Sequence, residues 1–171
     1  MAIVYLSLGS NQGDRVGYIQ QATSLLSANP DINIVATSSF YETEPWHMNT
    51  EKWFVNAVMQ IMTTLPPEEL FKECQRIETF LGREHISENE RYEDRNIDID
   101  ILFYDKRIIK NDKLTIPHQF IHKRAFVLVP MLEIAEDFVH PVFNKTIEEL
   151  YDDLENPETV VLYGTMKEDE G

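Results

Sequence analysis

The stretch Ile97-Asp98-Ile99-Asp100-Ile101-Leu102-Phe103-Tyr104 alternates apolar and acidic residues before it becomes fully apolar or aromatic. Such alternation predicts a β-strand whose successive side chains point to opposite faces of a sheet. We expect Asp98 and Asp100 on one face, and the opposite face to carry Ile97, Ile99, Ile101 and Phe103. The isoleucines favour a central, packed strand.

The two aspartates are candidate metal ligands. On an extended strand their Cα atoms lie roughly 6.6 Å apart, a span at which both carboxylates can bind a pair of hard cations. The alternative is a solvent-facing strand with its polar residues outward, which is the usual explanation of a lone Asp-x-Asp. Side-by-side carboxylates repel each other unless cations or arginines neutralise them, and this favours the metal interpretation.

Positive charge brackets this stretch in an otherwise acidic chain, whose formal net charge is −15 from 15 basic and 30 acidic residues. Arginine offers a planar fork of donors for phosphate oxygens, although a single basic residue is more often a solvated surface group. His118 and His122 lack the glutamate or cysteine partners of a zinc site. We predict a metal-assisted phosphate site formed with the bracketing residues, which are Arg83, Arg91, Arg95, His118, His122, Lys123 and Arg124.

Composition excludes several classes of partner. The acidic chain would repel a nucleic acid backbone, and no run of 18 apolar residues predicts a transmembrane helix. Cys74 is the sole cysteine, so no internal disulfide can form. We expect a cytoplasmic protein that acts on small molecules, without nucleic acid or membrane partners.

The elements on either side of the central stretch define the fold class. Upstream patterns predict a strand at 2–8, a helix at 16–26, strands at 32–41 and 54–63, and a helix at 66–81. Downstream patterns predict a ribbon of 106–109 with 114–116, a helix near 123–135, a helix at 146–154 and a strand at 159–162. This order predicts an α+β fold of ferredoxin-like type, an antiparallel sheet with flanking helices.

The length of 171 residues predicts one compact domain. We assign residues 1–163 to it and residues 164–171 to an acidic disordered tail. The stretch 42–53 is a candidate substrate lid, and 83–96, which has no hydrophobic periodicity, is a candidate mobile loop.

Several polar and aromatic residues are candidates for contacts with an organic ligand. Gln75 and Glu78 lie one helical turn apart and could hydrogen-bond an adenine or ribose, although they could also be ordinary boundary residues. Asn56, inside an apolar strand, needs amide partners if it is buried. Aromatic side chains that could enclose a flat heterocycle, or simply belong to the core, are Trp46, Phe54, Tyr92 and Phe126.

These motifs fall in the order of a known family. The segments are Gly9-Ser10-Asn11, Phe40-Tyr41-Glu42-Thr43, Phe54-Val55-Asn56-Ala57, Arg95 to Leu102, Leu114-Thr115-Ile116-Pro117-His118 and Arg124-Ala125-Phe126. Over roughly residues 2 to 160 the chain resembles the hydroxymethyldihydropterin pyrophosphokinase family. The resemblance implies transfer of pyrophosphate from ATP to the hydroxymethyl group of 6-hydroxymethyl-7,8-dihydropterin in folate biosynthesis, giving AMP.

The resemblance also implies roles for individual residues. Asp98 and Asp100 would hold two Mg²⁺ ions and, with Arg83 and Arg95, form the catalytic set. The residues implied in ATP binding are Gln75, Glu78, Arg95, Ile101, Lys113, Thr115, His118 and Arg124. The residues implied in pterin binding are Thr43, Pro45, Trp46, Phe54, Asn56, Tyr92 and Phe126. The loop 91–96 departs from the family pattern, with Tyr92 in the place of a tryptophan.

A degenerate relative and an RNA-binding module are two alternative functions. A degenerate relative could bind nucleotide or pterin without turnover, but it would have no reason to keep two unneutralised carboxylates on one strand. An RNA-binding module of ferredoxin-like fold requires a basic, aromatic sheet face, which an acidic chain does not offer. We expect an active monomeric enzyme, because all the implied residues come from one chain.

Overall fold

The computed structural model describes residues 1–45, 52–82 and 96–165. The strands in these ranges are β1 (Ala2–Ser10), β2 (Ile32–Thr37), β3 (Phe40–Thr43), β4 (Phe54–Thr63), β5 (Asp98–Tyr104), β6 (Ile109–Lys110), β7 (Thr115–Ile116) and β8 (Val160–Gly164). The helices are α1 (Arg15–Ala28), α2 (Pro67–Phe80), α3 (Ala125–Ala135) and α4 (Ile147–Asp152). None of these helices is long and apolar enough to cross a membrane.

The main sheet has the strand order β5-β1-β4-β3-β8, and β2 pairs with the other half of β4. All of its paired strands are antiparallel. β1 and β4 occupy the centre because their buried residues are almost continuously apolar. The predicted α+β fold of ferredoxin-like type, an antiparallel sheet with flanking helices, is confirmed.

Helices α1 and α2 cover one face of the sheet, which we call the α1/α2 face. Asp14 caps α1 by accepting a hydrogen bond from the Gly17 N–H at 3.0 Å. α2 begins with Pro67 and two acidic residues in its first turn, which suit the positive end of the helix dipole. Gly82 follows α2 with a φ of +116°, a conformation that favours glycine. A Cβ atom there would also lie 2.6 Å from the side-chain nitrogen of Asn96, two residues before β5.

Helices α3 and α4 pack on the opposite face, which we call the α3/α4 face. Their apolar residues join a second core cluster with Tyr5, Val58, Leu102 and Phe103 of the sheet. Thr146 and Glu149 form a capping box at the start of α4. α3 continues through Pro130 to Ala135. The sheet is therefore the middle layer between two pairs of helices.

The position of Phe103 differs from the prediction. We expected Phe103 on the same face as Ile99 and Ile101, but it belongs to the α3/α4 core cluster. The register between β1 and β5 shifts between Tyr5 and Leu6, which pair with Phe103 and Ile101, so Leu102 is an extra residue in β5. A β-bulge of this kind inverts the alternation beyond it, and strict period two fails at this point.

The predicted strand at 32–41 is two strands rather than one. β2 and β3 are separated at Ser38 and Ser39. The Ser38 hydroxyl accepts a hydrogen bond from the Val58 N–H at 2.9 Å, which maintains contact with β4 across the break. Ser39 turns towards α3, where Glu133 accepts hydrogen bonds from both its N–H and its hydroxyl at 2.8 Å. Side-chain acceptors replace the regular ladder here, and local propensity does not reveal them.

Glu133 also accepts a hydrogen bond from the Tyr41 hydroxyl at 2.8 Å. Burial, followed by this hydrogen bond, raises the pKa of Tyr41 to about 12. We expect Glu133→Ala to lower the free energy of unfolding by roughly 2 kcal/mol, because three donors lose a charged acceptor. Urea denaturation at pH 7 measures the change, with Glu136→Ala, an exposed residue at the end of α3, as the control. Equal stability of the two variants would contradict this role for Glu133.

His140 is 3% exposed and packs against Phe103 and Phe143, with ring centroids 5.3 and 4.6 Å away. Its Nδ1 accepts hydrogen bonds from the N–H groups of Val142 and Phe143 at 3.1 and 3.3 Å. Burial, followed by repulsion from His122, lowers the pKa of His140 from 6.5 to about 4. The folded state therefore requires a neutral imidazole.

The depressed pKa of His140 predicts acid sensitivity of the fold. A lowered folded-state pKa contributes stability above pH 6.5, and this contribution is lost as the pH falls from 6.5 towards 4. The loss is at most about 3 kcal/mol. We expect His140→Gln to be less stable at pH 7 but to lose less stability between pH 7 and pH 4.5 than the wild type. Urea midpoints of the wild type and of His140→Gln at both pH values test this; an unchanged pH difference in His140→Gln would refute it.

Candidate functional site

Asp98 and Asp100 lie on the α3/α4 face at the start of β5. Ile99 and Ile101, which alternate with them, are buried in the other core cluster, so the predicted separation of the two pairs is confirmed. In the register with β1, Asp98 pairs with Gly9 and Asp100 with Ser7. The two aspartates therefore lie beside β1 at Gly9 and Ser7, where the side chain of the central strand is absent or small.

Glu78 of α2 and the segment after β7 cover the outer edge of β5. The buried Glu78 carboxylate accepts a hydrogen bond from the Ile99 N–H at 2.8 Å. The His118 N–H donates to the Leu102 carbonyl at 3.0 Å, just after the cis peptide Ile116–Pro117. These contacts satisfy edge groups of β5 that would otherwise need water, and they hold the strand that carries the aspartates.

His118 and Arg124 bring imidazole and guanidinium groups to the aspartates. His118 Nε2 lies 3.9 Å from Asp100 Oδ1. Burial, with a smaller contribution from the Arg124 charge, lowers the pKa of His118 to about 4 against the opposing effect of Asp98. Burial also lowers the pKa of Arg124, whose charge is supported by Asp100, Asp98 and Glu158. Arginine keeps its charge under such conditions, so a fixed cation faces both carboxylates.

A cleft of about 180 Å³ opens beside Asp100. Four residues that the sequence implies in ATP binding line it together: Ile101, Lys113, Thr115 and His118. Phe71 and Gln119 line it as well, and the sequence analysis did not select them. In the sequence, Phe71 resembles the other apolar residues of α2. Only the packing of that helix against β5 shows that its ring lies at the cleft.

Three other residues implied in ATP binding, Gln75, Glu78 and Arg124, lie within the described ranges but do not line this cleft. Gln75 is exposed one turn after Phe71 on α2. Glu78 supports β5 through Ile99, and its predicted contact with nucleotide stays a prediction. Arg124 lies beyond the aspartates, immediately before α3, with its guanidinium 5.5 Å from the ring centroids of both Phe120 and Phe126.

A second polar patch lies on the α3/α4 face, on the other side of β1 from Asp98. Gly9 pairs with Asn56 of β4, so Asp98, Gly9 and Asn56 form one row across three strands. The buried Asn56 amide donates a hydrogen bond to the Thr43 hydroxyl at 2.6 Å. The predicted need of Asn56 for an amide partner is thus met in part by Thr43.

Gly9 keeps this patch open. A Cβ atom at position 9 would lie 2.6 Å from the Asn56 side-chain oxygen and 3.7 Å from Phe54 Cδ1. In the sequence, Gly9 stands out only as part of the family motif Gly9-Ser10-Asn11, which does not place it in the site. A glycine inside a strand pattern is a signal of close approach, and it could have been used here.

The remaining predicted site residues fall into two groups: those that the structure describes and those that lie outside the described residues. Pro45 follows Thr43 at the end of β3, and Phe126 is half-buried in the first turn of α3. The predicted residues Trp46, Arg83, Arg91, Tyr92 and Arg95 lie outside the described residues. So do residues 46–51 of the candidate lid, 83–95 of the candidate mobile loop and 166–171 of the predicted tail.

The two aspartates fit a magnesium ion, which takes several ligands from water and substrate, better than a metal ion whose ligands all come from the protein. Within the described ranges, no group of three or more His, Cys, Asp or Glu residues could hold a metal ion. Mg²⁺ typically binds through one or two carboxylates and takes its other ligands from waters and substrate phosphates. A carboxylate pair beside a cleft and a fixed guanidinium fits that pattern.

The fold is an α+β domain, and its site places two carboxylates between a cleft lined by lysine and histidine and a separate amide patch. This combination is typical of a phosphate-handling enzyme. The family described as 7,8-dihydro-6-hydroxymethylpterin-pyrophosphokinase (HPPK) matches residues 5–136. The chain belongs to this family.

Individual relatives agree with the family match. A protein of Methylorubrum extorquens named 2-amino-4-hydroxy-6-hydroxymethyldihydropteridine pyrophosphokinase is 43% identical over 139 residues, covering 81% of this chain and 86% of the relative. A protein of the same name from Aquifex aeolicus is 38% identical over 149 residues, covering 87% and 90%.

A solved structure supports the fold. The Plasmodium falciparum HPPK-DHPS wild-type structure with pteroate has a TM-score of 0.70 at 17% identity and covers 88% of this chain. This chain spans 44% of that longer protein.

Proposed function

We propose that the chain transfers pyrophosphate from ATP to the hydroxymethyl group of 6-hydroxymethyl-7,8-dihydropterin, in folate biosynthesis. The observation that carries the proposal is the position of Asp98 and Asp100 between the Lys113–His118 cleft and the Asn56 patch. Family membership and the relatives' names support the same reaction. They do not favour the alternative of a binding protein without turnover.

The cleft side of the site is proposed to bind ATP. Lys113 and His118 can contact the phosphates, and Arg124 adds a guanidinium on the far side of the aspartates. Ile101 and Phe71 offer apolar surface for the base. The further residues proposed to contact ATP are Gln75, Glu78, Thr115 and Arg95.

The amide patch is proposed to bind the pterin. Asp98 and Asn56 are two strand spacings apart, roughly 10 Å, with only Gly9 between them. A flat bicyclic ring can lie over that glycine with its amide edge at Asn56 and its hydroxymethyl arm towards Asp98. Phe54 is adjacent, and the other residues proposed for this side are Thr43, Pro45, Trp46, Tyr92 and Phe126.

The reaction requires little covalent chemistry from the protein. The hydroxymethyl oxygen attacks the β-phosphorus, a bond forms between them, and the bond from the β-phosphorus to the oxygen bridging it to the α-phosphate breaks. The bonding pair leaves on AMP, and the hydroxyl proton is released. Positioning and charge stabilisation then supply most of the rate enhancement.

Asp98 and Asp100 are proposed to hold two Mg²⁺ ions, which would neutralise phosphate charge and polarise the reacting oxygens. The chain's own contribution is to keep both carboxylates on one face of a rigid strand, fixed by Glu78 and β1. Arg83 and Arg95 complete the proposed catalytic set. We also propose that residues 1–163 act as one domain, which β8 extends to Gly164, that the remainder of 164–171 forms a tail, and that the enzyme is a cytoplasmic monomer.

Formation of AMP tests the proposed function. The purified chain is incubated with ATP, MgCl₂ and 6-hydroxymethyl-7,8-dihydropterin, and AMP and the pterin diphosphate are quantified by chromatography. We expect equal amounts of both products, and no AMP when the pterin is omitted. A folded chain that binds ATP but forms no AMP would instead be a binding protein.

A further inference from the structure

Glu158 lies in the segment between α4 and β8, outside the residues 5–136 that match the family. Its Oε2 accepts a hydrogen bond from the Phe126 N–H at 3.2 Å, in the first turn of α3. α3 has no acidic residue in that turn, and its N-cap residue, Arg124, makes no side-chain capping bond. Glu158 therefore supplies, from a distant part of the chain, the negative charge that the positive end of α3 favours.

The same carboxylate supports the charge of Arg124. Glu158 is one of three acidic residues that oppose the desolvation of this guanidinium; the others are Asp98 and Asp100. Glu158 Oε1 is buried and accepts no hydrogen bond from the part of the chain that the structure describes. Because one of its two carboxylate oxygens is buried, its attraction to Arg124 is screened less than that of a fully exposed acid.

The residues that follow Glu158 contact the end of β3, on the side of the site that is proposed to bind the pterin. The Thr159 N–H donates to Glu44 Oε1 at 2.7 Å, and the Glu44 N–H donates to the Thr159 carbonyl at 3.2 Å. Val160 pairs with Thr43, the hydrogen-bond partner of Asn56. Three consecutive residues thus connect the start of α3 with the end of β3.

We propose that Glu158 is a positioning residue of the active site, which holds Arg124 for the nucleotide through its charge and Phe126 through its hydrogen bond. This inference rests on the proposed function for the identity of the two ligands. When cations occupy Asp98 and Asp100, these aspartates no longer serve Arg124 alone, and Glu158 is the one of the three acidic residues that binds no cation. The two parts of the role are separable, because an amide can accept the hydrogen bond but lacks the charge.

Binding measurements on Glu158→Gln, Glu158→Ala and Glu158→Asp separate the two parts. Titration calorimetry gives the Kd of the α,β-methylene analogue of ATP with Mg²⁺, whose α–β bridge cannot be cleaved, and the Kd of the pterin. We expect Glu158→Gln to weaken the analogue about tenfold and to leave the pterin within about twofold. Glu158→Ala should weaken both ligands, and Glu158→Asp should recover part of the affinity for the analogue.

Glu155→Gln is the matched control, because Glu155 is an exposed acid in the same segment. The inference is overturned if Glu158→Gln binds the analogue as tightly as Glu155→Gln does. It is also overturned if the Gln and Ala variants lose both ligands equally, in step with a lower Tm, since that is the result of a purely structural role. If the wild type binds both probes yet forms no AMP, the proposed function fails while the Kd ratios still decide the role of Glu158.

Discussion

Replacing either aspartate of β5 by asparagine is expected to reduce the rate of AMP formation by at least about 10³-fold. Asparagine keeps the shape of the side chain and removes the charge that a magnesium ion requires. The loss should therefore appear in kcat at saturating ATP and pterin. Initial rates of AMP release for Asp98→Asn and Asp100→Asn, over a range of MgCl₂ concentrations, measure it.

Folding stability should change much less than activity. Neutralising one aspartate relieves the repulsion between the two carboxylates but also removes part of the support for the buried Arg124 charge, so Tm should change little in the absence of Mg²⁺. Asp137→Asn, an exposed acid after α3, is the matched control and should keep wild-type activity and stability. If Asp98→Asn keeps more than a tenth of the wild-type rate, the paired-carboxylate role proposed here is wrong.

Gly9→Ala is expected to raise the KM for the pterin by roughly 100-fold while the affinity for ATP changes little. The added methyl group would lie 2.6 Å from the Asn56 side-chain oxygen, too close for any real contact. Gly9 and Asn56 are both buried, and Thr43 already holds the Asn56 amide, so the amide cannot move without losing that hydrogen bond. The methyl group would also fill the space over which the pterin ring is proposed to lie.

Steady-state kinetics with each substrate varied in turn test this expectation. Ser10→Ala is the control, because Ser10 is the next residue of β1, is also buried, and within the described ranges its hydroxyl donates a long hydrogen bond of 3.4 Å to the Gln12 carbonyl. Thermal unfolding of both variants shows whether the strand itself has been disturbed. An unchanged pterin KM in a folded Gly9→Ala protein would place the pterin elsewhere.

Both predictions concern the same row of residues on the sheet. Asp98, Gly9 and Asn56 come from three strands that are distant in sequence and adjacent in the sheet. The aspartate end is proposed to control the chemistry and the asparagine end the choice of substrate. Loss of kcat in one class of variant and loss of pterin affinity in the other would establish that division.

Much of the fold and the core of the candidate site could be predicted from sequence. The order of strands and helices followed from hydrophobic periodicity, and the alternation of Ile and Asp placed both carboxylates on one face of β5. Motifs spread along the chain indicated the family. Each of these signals is local, because it depends on residues within one strand, helix or turn.

Other features depended on contacts between distant parts of the chain. The bulge at Leu102 placed Phe103 in the α3/α4 core, and Glu133 divided a predicted strand in two. The packing of α2 brought Phe71 to the cleft, and the segment before β8 brought Glu158 to α3. Strand register and helix packing are set by many side chains acting together, so no local pattern specifies them. The sequence by itself therefore determined the secondary-structure order and the paired carboxylates, whereas only the tertiary structure decided which side chains surround them.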